Sequence, residues 1–479
     1  MAGLAETPAP GADPGTGPDT GPGTGPVIAI IGAGIAGLLA AAAVAPHAER
    51  VVLLEQDSLP AGAALRRRVP QGGHVHALLD SGLGAIEALL PGFAEAARLA
   101  GSLRLPARSG WRFHDGRGWS VPYEGAPAVL SQSRCQLEHL LRIRVLRLAN
   151  LRLLTGRVVA LSRGPDGRID GLRAQTGEGG PLALTADWVI DASGRGGASA
   201  AWLEGCGAPA VPELSHAPHV GYTSLIVPRA EPDAKACAWL RLAQPPATRG
   251  LVAAPIEDQA WIVTLTDRFG AVLPTTPEDF AAALRALPDP ELSARLTARW
   301  PEAGLGPVRR FQIDRVRLRR VGSADLPAGY LPIGDAIATF NPLHAQGMSV
   351  AALQAGALGR AMAGLRRSGP GAVQARYLAE AETLARNAWM IGQAVDLAYP
   401  RLREGAAPEA LRRAQILRAA FATAALRPDM ARRVDRALHL LDPFSALWQP
   451  APDLHLSPSS TRSELSHETT DHGAALGSL

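Results

Sequence analysis

The sequence of 479 residues predicts an α/β fold in which a parallel sheet is combined with an antiparallel sheet and a C-terminal layer of helices. Three observations favour this class. An apolar strand, a glycine-rich turn and an apolar helix follow one another near the N-terminal end. Much later, a second apolar run ends in Gly-Asp. Between them lie short strand-like segments, and Ala- and Leu-rich periodic segments follow after residue 373.

The first motif reads G-A-G-I-A-G between a strand, Val27–Ile31, and a helix, Ile35–Val44. Gly32, Gly34 and Gly37 permit a tight turn, close approach of the backbone to a pyrophosphate, and tight packing of helix on strand. The N–H groups and the positive dipole end at the start of the helix would point at the phosphates.

An acid follows at the end of the next predicted strand, residues 51–54. Glu55 stands close to the spacing of about 20 residues after the glycines at which such an acid binds ribose hydroxyls. Together with the glycine motif it predicts a dinucleotide site of the Rossmann type. The alternative is an ordinary α/β unit in which Glu55 is a solvated strand end.

The second motif, Y-L-P-I-G-D at residues 330–335, favours FAD over NAD as the cofactor. Asp335 follows a strand and Gly334, where a carboxylate can hold a hydroxyl of a sugar-alcohol chain. A helix that begins near Gly347 would aim its N-terminus at an isoalloxazine and stabilise the negative charge of a reduced flavin. The alternative is a strand–turn–helix with a capping aspartate. Beside the first motif, this arrangement predicts FAD.

These motifs resemble the FAD-dependent monooxygenases built like p-hydroxybenzoate hydroxylase and squalene epoxidase, over roughly residues 27–443. The segment W-V-I-D-A-S-G-R-G-G at residues 188–197 is similar to the family's middle D-G box, with Asp191 matching its acid and Ser193 departing from the pattern. The resemblance implies a glutathione-reductase-like FAD-binding Rossmann domain, an antiparallel β-sheet substrate domain and a helical C-terminal layer.

Two further segments are similar to the bacterial branch that contains polyether-pathway epoxidases of polyketide alkenes. They are R-R-R-V-P-Q-G-G-H-V-H-A-L-L at residues 66–79 and S-R-C-Q-L-E-H-L-L at residues 133–141. The resemblance implies that Arg66 faces the flavin or its phosphates and that Arg134 contacts FAD. In the alternative interpretation both are solvated surface arginines. The full set of predicted cofactor-binding residues is Gly32, Ala33, Gly34, Ile35, Ala36, Gly37, Glu55, Arg66, Gln71, Arg134, Val158, Asp191, Gly334, Asp335, Pro342, Gly347 and Met348.

The sequence identifies no catalytic side chain, because the flavin itself would carry the chemistry. Pro342 is expected to shape the loop beside the reacting edge of the ring. His74 and His76, two residues apart, would share one face of an extended segment, either near the flavin and substrate or in ordinary structural hydrogen bonds. No cluster has metal-ligand spacing, so no metal is expected.

Arginines crowd residues 309–320, which read as a single strand. On it, Arg315, Arg317 and Arg319 would share one solvated edge face. The alternative is a docking surface for an acidic partner such as an acyl carrier protein.

The chain divides into segments of different character. The remaining predicted elements are helices near residues 81–90, 132–146 and 277–287, and strands at 151–154, 158–161, 169–174, 181–184, 188–190, 223–227, 251–255 and 260–266. The predicted organisation is a disordered tail (1–26), the FAD-binding domain in two parts (27–221 and 321–372), a substrate domain (222–320), a helical region (373–450) and a second disordered tail (451–479).

Composition excludes some classes. The net charge is only +4, so no strong field favours nucleic acid. The uncharged apolar stretch at residues 27–45 divides into strand and helix, which argues against a membrane span, and no basic segment of a signal peptide precedes it. A cytoplasmic location is expected.

The expected function is insertion of one oxygen atom from O2 into a lipophilic unsaturated polyketide or terpenoid, by alkene epoxidation through a flavin hydroperoxide. Electrons would come from NAD(P)H directly or through a partner flavin reductase. The alternatives are an aromatic hydroxylase, an FAD-dependent reductase of isoprenoid double bonds, a halogenase and a non-enzymatic flavin-binding protein. The halogenase motif W-x-W-x-I-P is missing, and Lys235 is the single lysine.

Overall fold

The computed structural model describes residues 25–114, 118–176, 180–230, 232, 235–270, 272–300 and 305–448. The predicted terminal tails lie outside these residues, apart from residues 25 and 26. The described helices are α1 Ile35–Val44, α2 Asp80–Leu89, α3 Phe93–Leu99, α4 Arg134–Val145, α5 Ser199–Gly205, α6 Pro277–Arg285, α7 Pro290–Thr297, α8 Gly347–Met362, α9 Leu365–Asp396, α10 Pro408–Ala424 and α11 Pro428–Leu438. The described strands are β1 Val27–Ile31, β2 Arg50–Glu55, β3 Ala77–Leu78, β4 Leu103–Pro106, β5 Trp111–Phe113, β6 Ala128–Ser131, β7 Leu151–Arg163, β8 Ile169–Thr176, β9 Pro181–Thr185, β10 Trp188–Asp191, β11 Glu213–His216, β12 Val220–Pro228, β13 Ala238–Arg241, β14 Gly250–Ile256, β15 Ala260–Arg268, β16 Arg309–Ile313, β17 Val316–Arg319, β18 Tyr330–Pro332 and β19 Ala338–Thr339.

The largest sheet brings the two sequence motifs to one edge. Its seven strands run in the order β18-β10-β1-β2-β7-β8-β9, and the pairs from β18 to β7 are parallel. Asp191 pairs with Ile31 on one side and with Pro332 on the other. The glycine turn after Ile31 and the Gly-Asp turn after Pro332 therefore leave the sheet side by side.

One strand of this sheet is longer than the sequence predicts. β7 is continuous, whereas two strands with a break near Gly156 were expected, and that expectation is wrong. The first half of β7 pairs with β2 and the second half pairs with β8, with a register shift between Val158 and Ala160. Because pairing with β8 begins where pairing with β2 ends, the backbone stays extended although the apolar pattern is interrupted.

Helix α1 is buried around nearly its whole circumference. Eight of its ten residues are Ala, Leu or Val, and it lies among the sheet, α4 and α8. A helix that is apolar on all sides is stable only when neighbours cover every face. Close packing with α8 depends on Gly359, because a Cβ atom there would lie 3.2 Å from the carbonyl oxygen of Ala43.

The second large sheet forms the substrate-side lobe. Its six strands run in the order β16-β12-β15-β14-β13-β5, and α6 and α7 cover one face with Phe280, Leu284, Leu292 and Leu296. β5 joins as the parallel partner of β13. Short strands such as β5 were absent from the predicted elements, because three residues carry too little periodicity to identify.

The arginine-rich segment is not one strand, contrary to expectation. β16 belongs to the six-stranded sheet, and β17 lies between β11 and β19 in a separate sheet. Arg315 sits in the connection and forms an ion pair with Glu213 at 2.6 Å. Arg319 is buried and donates to the carbonyl oxygen of Ala336 at 3.0 Å. The expected solvated face of three arginines therefore does not exist.

The C-terminal layer consists of α9, α10 and α11. α9 contains a non-helical residue, Gly369 (φ 75°), directly before Pro370, so it is two helical pieces joined by a kink. A short 3₁₀ turn, Pro400–Leu402, lies between α9 and α10. Within the described part of the chain, every helix is too short or too polar to cross a bilayer.

Candidate active site

The glycine turn has one open position and two crowded ones. Gly32 has φ 96°, and a Cβ atom there would lie 2.6 Å from the carbonyl oxygen of Ala192. A Cβ atom on Gly37 would clash with the carbonyl of Gly32, so this glycine permits helix–strand packing. A Cβ atom on Gly34 would have no atom within 4 Å. The open space at Gly34 is the place where a ligand can approach the backbone.

The start of α1 presents uncompensated N–H groups to that space. Gly34 caps the helix without a side-chain hydrogen bond, and the first turn, which includes Ile35 and Ala36, carries no acid. The positive end of the helix dipole is therefore left for an anion. An uncapped helix end beside an open glycine is suited to a diphosphate.

An ion-pair cluster of three residues borders this turn. The carboxylate of Glu55 accepts the backbone N–H of Ala33 at 2.8 Å and the backbone N–H of Asp57 at 3.0 Å. It also forms an ion pair with Arg66 at 2.6 Å. Arg66 also pairs with Glu138 at 2.9 Å and donates to the carbonyl of Ala33 at 3.2 Å. Burial alone would lower the pKa of the Arg66 guanidinium, but Glu55 and Glu138 raise it above its ordinary value.

Glu138 was not among the predicted site residues. It is buried on α4 and also pairs with Arg134, four residues earlier, at 3.3 Å. Helix α4 begins at this point because Ser133 accepts the N–H of Gln136 at 3.0 Å as an N-cap. The spacing of Arg134 and Glu138 on a helix was a readable signal, whereas the contact with Arg66 was not.

The Gly-Asp turn packs directly on α1. Gly334 has φ 65°, and a Cβ atom there would lie 2.8 Å from the Cβ atom of Ala36. Its N–H donates to Gln354 of α8 at 2.8 Å. Asp335 follows with a side chain that is 34% exposed and 4.0 Å from Arg195. The two motifs therefore pack against one another, and we call the space beside Gly34 and Asp335 the cleft.

Several arginines act on Asp335. Desolvation raises the pKa of its carboxyl above the usual value, and positive charges oppose this shift. These charges belong to Arg195, Arg134 and Arg317. A partly exposed carboxylate among guanidinium groups is suited to accept hydrogen bonds from neutral hydroxyls.

Asp191 is fully buried. Its side chain accepts the hydroxyl of Tyr330 at 2.6 Å and the N–H of Ser193 at 3.0 Å. Both carboxylate oxygens are therefore bonded inside the protein, and a contact of Asp191 with the cofactor stays a prediction. Asp191 fixes β10 to β18 and shapes the turn that follows.

The loop after the Gly-Asp turn is held by Asn341. Its side chain accepts the N–H of Leu343 at 3.2 Å and so caps the 3₁₀ turn Pro342–His344. Ala345 then adopts φ 53°. Helix α8 begins at Gly347 without a side-chain cap, and Met348 is buried in its first turn. Helix α8 packs against the Gly-Asp turn, to which Gln354 is hydrogen-bonded.

Asp396, the last residue of α9, anchors this loop. It accepts from Asn341 at 2.8 Å, from Arg268 at 2.8 Å and from His216 at 3.0 Å, and His344 lies 4.0 Å away. Burial alone would raise the pKa of the Asp396 carboxyl, but these donors hold it well below its usual range. No sequence pattern pointed to this residue.

The two candidate histidines lie where the first domain meets the six-stranded sheet. Nδ1 of His74 lies 2.7 Å from Oγ of Ser224, and its ring packs edge-on against Tyr222 at 4.5 Å. Tyr222 and Phe311 in turn pack with Leu343 of the loop. Nδ1 of His76 lies 2.9 Å from the carbonyl oxygen of His74.

The last two predicted residues lie at the margins of the cleft. Gln71 is half-buried in the 3₁₀ turn Pro70–Gly73, directly before the histidine segment. Val158 is buried in β7, three residues beyond Thr155, which pairs with Glu55. Both positions remain predictions as cofactor contacts. Among the described residues no group of His, Cys, Asp and Glu is arranged to hold a metal ion.

The fold and cleft define a flavoprotein oxidoreductase. Residues 28–203 match the family described as FAD dependent oxidoreductase. Protein Rv3254 of Mycobacterium tuberculosis is 30% identical over 384 residues, which cover 77% of this chain and 80% of that protein. The chain belongs to the FAD-dependent oxidoreductase family, and FAD is its cofactor.

Solved structures of flavin enzymes share the fold. A variant of the flavin-dependent brominase Bmp2 matches 92% of this chain and 98% of its own with a TM-score of 0.61 at 15% identity. OxyS anhydrotetracycline hydroxylase from Streptomyces rimosus matches 87% and 76% with a TM-score of 0.58 at 18% identity. PqsL, a probable FAD-dependent monooxygenase from Pseudomonas aeruginosa, matches 78% and 96% with a TM-score of 0.57 at 18% identity. At these identities the likeness shows the fold, which is the predicted one.

Proposed function

We propose that this protein is an FAD-dependent monooxygenase that epoxidises an alkene of a lipophilic polyketide or terpenoid. The observation that carries the proposal is that the Gly-Asp turn packs on both uncapped helices, α1 and α8, while the loop that follows it packs on the aromatic side chains of Tyr222 and Phe311. Positive helix ends favour an anionic cofactor, and the aromatic side favours an apolar substrate.

The residues fit FAD. The open position at Gly34 and the bare N-terminus of α1 would hold the diphosphate, and Glu55 would bind the ribose with its remaining acceptor capacity. Asp335 would bind a hydroxyl of the ribityl chain. Gly347 and Met348 would offer N–H groups to the pyrimidine end of the ring. When bound and reduced, FAD supplies the two electrons and activates O2, so that one oxygen atom enters the substrate and the other leaves as water.

The side chains contribute binding and exclusion of water. Tyr222 is buried, and its hydroxyl has a pKa raised by desolvation, so it stays neutral. Desolvation and nearby arginines lower the pKa of His74 to about 4 and that of His76 to about 3. Both histidines are neutral at pH 7 and weak as bases. Epoxidation favours such a site, because an alkene needs no proton removed, whereas hydroxylation of a phenol gains from a base.

The substrate class rests on the resemblance of residues 66–79 and 133–141 to polyether-pathway epoxidases. We also propose that the chain is organised into two FAD-binding segments, a substrate domain and a helical region. The electron donor in this proposal is NAD(P)H, either directly or through a partner reductase. Carrier-protein docking loses its support, because Arg319 is buried and Arg315 is paired with Glu213.

The test is oxygen transfer under ¹⁸O2. Enzyme reduced with dithionite would be mixed with ¹⁸O2 and a lipophilic polyene, and the product analysed by mass spectrometry. One ¹⁸O atom per epoxide is the expected result. An aromatic panel would be run in parallel, and labelled phenols without labelled epoxides would identify a hydroxylase. Saturation of the polyene in an oxygen-free control, with no label incorporated under ¹⁸O2, would identify a reductase and refute the proposal.

Halogenation is the second candidate function, because a flavin-dependent brominase shares the fold. Lys235 is exposed in the described structure, whereas a lysine that carries an activated halogen must be shielded from water. Adding bromide to the same assay is expected to give no brominated product.

A further inference from the structure

A hydrogen-bonded chain fixes the histidine segment to the six-stranded sheet. Oγ of Ser224 lies 2.7 Å from Nδ1 of His74 and 2.6 Å from Oγ1 of Thr264. Oγ1 of Thr264 accepts the N–H of Val75 at 3.3 Å. The chain thus holds the side chain of His74 and the backbone that follows it.

His74 joins this chain through Nδ1 alone, because its Nε2 is buried without a hydrogen-bond partner among the described residues. Whichever hydroxyl donates between Ser224 and Thr264, the chain holds the backbone carbonyl of His74 in one place.

The tautomer of His76 follows from its hydrogen-bond partner. The atom opposite its Nδ1 is the carbonyl oxygen of His74 at 2.9 Å, and a carbonyl can only accept. Nδ1 of His76 must therefore carry the proton. Because burial and the charge of Arg134 keep this ring neutral, Nε2 carries a free lone pair.

His76 borders the cleft that contains Asp335. Its Nδ1 contacts the carbonyl oxygen of His74, whose ring packs on Tyr222, and Tyr222 packs with Leu343 of the loop that follows Asp335. The His76 ring is only half-buried, and Nε2 has no partner among the described residues. The charge of Arg134 repels a cationic donor. A neutral hydroxyl is the complementary group for this lone pair.

We propose that His76 is a ligand-contacting residue whose Nε2 accepts a hydrogen bond from a neutral hydroxyl group bound in the cleft. The hydroxyl belongs either to the substrate or to the ribityl chain of FAD. The inference rests on the proposed function only in placing a substrate in this cleft. It makes His76 an acceptor that selects hydroxylated ligands.

Two substitutions separate the two nitrogen atoms. In His76→Asn the side-chain amide reaches only as far as Nδ1, so it keeps the bond to the His74 carbonyl and loses the acceptor. In His76→Gln the amide oxygen reaches the position of Nε2 and keeps the acceptor. A structural role would make Asn the better replacement, whereas ligand contact makes Gln the better one.

Binding is measured without turnover. The flavin-free full chain is titrated with FAD by fluorescence quenching, and the FAD-loaded chain is titrated with 1-naphthol and with 1-methoxynaphthalene by flavin absorbance. His76→Asn is expected to lower the binding affinity for either FAD or 1-naphthol about tenfold, which corresponds to the loss of one hydrogen bond. The affinities of His76→Gln should stay within about threefold of those of the unchanged protein. The affinity for 1-methoxynaphthalene should be the same in both variants as in the unchanged protein.

The pattern of losses identifies the source of the hydroxyl. Weaker FAD binding in His76→Asn assigns it to the ribityl chain, and weaker 1-naphthol binding with unchanged FAD assigns it to the substrate. Equal effects of the two substitutions, or none on any ligand, overturn the inference. If the unchanged protein binds no naphthol, the FAD titration alone decides. ¹⁵N NMR of the His76 ring must also show protonated Nδ1, and the opposite tautomer refutes the proposal. None of these results depends on oxygen transfer.

Discussion

The carboxylate of Asp396 and the side-chain amide of Asn341 are joined by a hydrogen bond of 2.8 Å. Asp396 ends the long helix α9, and Asn341 caps the turn that carries Pro342. The same carboxylate binds Arg268 of β15 at 2.8 Å. A residue of the C-terminal layer therefore ties the substrate-side sheet to the loop at which the flavin is proposed to react.

Asp396→Asn is expected to destabilise the fold by about 3–5 kcal/mol. The amide keeps the shape of the side chain but leaves the buried guanidinium of Arg268 without its counter-charge. Asp442→Asn is the matched control, because its partner Arg436 is half-exposed and the pair is worth about 1 kcal/mol or less. Urea unfolding measures both, and similar losses for the two substitutions would contradict the argument.

Stability should also depend on pH through Asp396. Its pKa in the folded protein lies below the value of about 3.9 for an unfolded chain, so its contribution is fully present above that value and is lost as pH falls towards the folded pKa. The gap in unfolding free energy between the unchanged protein and Asp396→Asn should therefore narrow as pH falls from 5 to 3. A constant gap would show that the carboxylate charge contributes nothing.

The glycine turn offers a pair of substitutions with opposite outcomes. Gly34→Ala adds a methyl group to open space at a position with φ −77°, so the fold should lose about 1 kcal/mol or less. FAD affinity should fall more than about tenfold, because the methyl group occupies the place of the diphosphate. Titration of the flavin-free chain with FAD and thermal unfolding check both expectations.

Gly37→Ala is the counterpart to that substitution. Its Cβ atom would collide with the backbone carbonyl of Gly32, which cannot move without breaking the turn. Low yield or a strongly lowered melting temperature is expected. Normal folding of Gly37→Ala with normal FAD affinity would contradict the assigned packing role.

The elements that the sequence predicted well are those with local signals. Val27–Ile31, Ile35–Val44 and the helix start at Gly347 each follow from a periodic apolar pattern bounded by glycine, and the structure has them at those residues. Arg309–Ile313 and Val316–Arg319 were joined in error, because the alternation continues through Asp314 although the partner strands change. Local pattern determines that a strand forms, and tertiary pairing determines where it ends.

The site was predictable only in part, for the same reason. Glu138 and Asp396 have their partners at positions 66, 268 and 341, and a single sequence contains no signal of these long-range ion pairs and hydrogen bonds. Asp191 was predicted from its motif, but the hydrogen bond from the hydroxyl of Tyr330 to its carboxylate was not. Motifs locate a residue in the chain, whereas its role depends on what it contacts.

The cluster around Arg66 allows a direct measurement of coupling. Arg66→Met leaves Glu55 and Glu138 buried without the cation between them, which should cost about 3–5 kcal/mol. Arg68→Met is the control, because Arg68 is 60% exposed beside Asp57 and its loss should change the free energy of unfolding little.

In the double substitution Arg66→Met with Glu138→Gln, one uncompensated charge is removed. The double variant should therefore be more stable than the sum of the two single losses predicts, by 0.5–3 kcal/mol, roughly the range for coupled neighbours. Urea unfolding of the flavin-free chain gives the three free energies, and additive losses would show that Arg66 and Glu138 do not stabilise one another across the cleft.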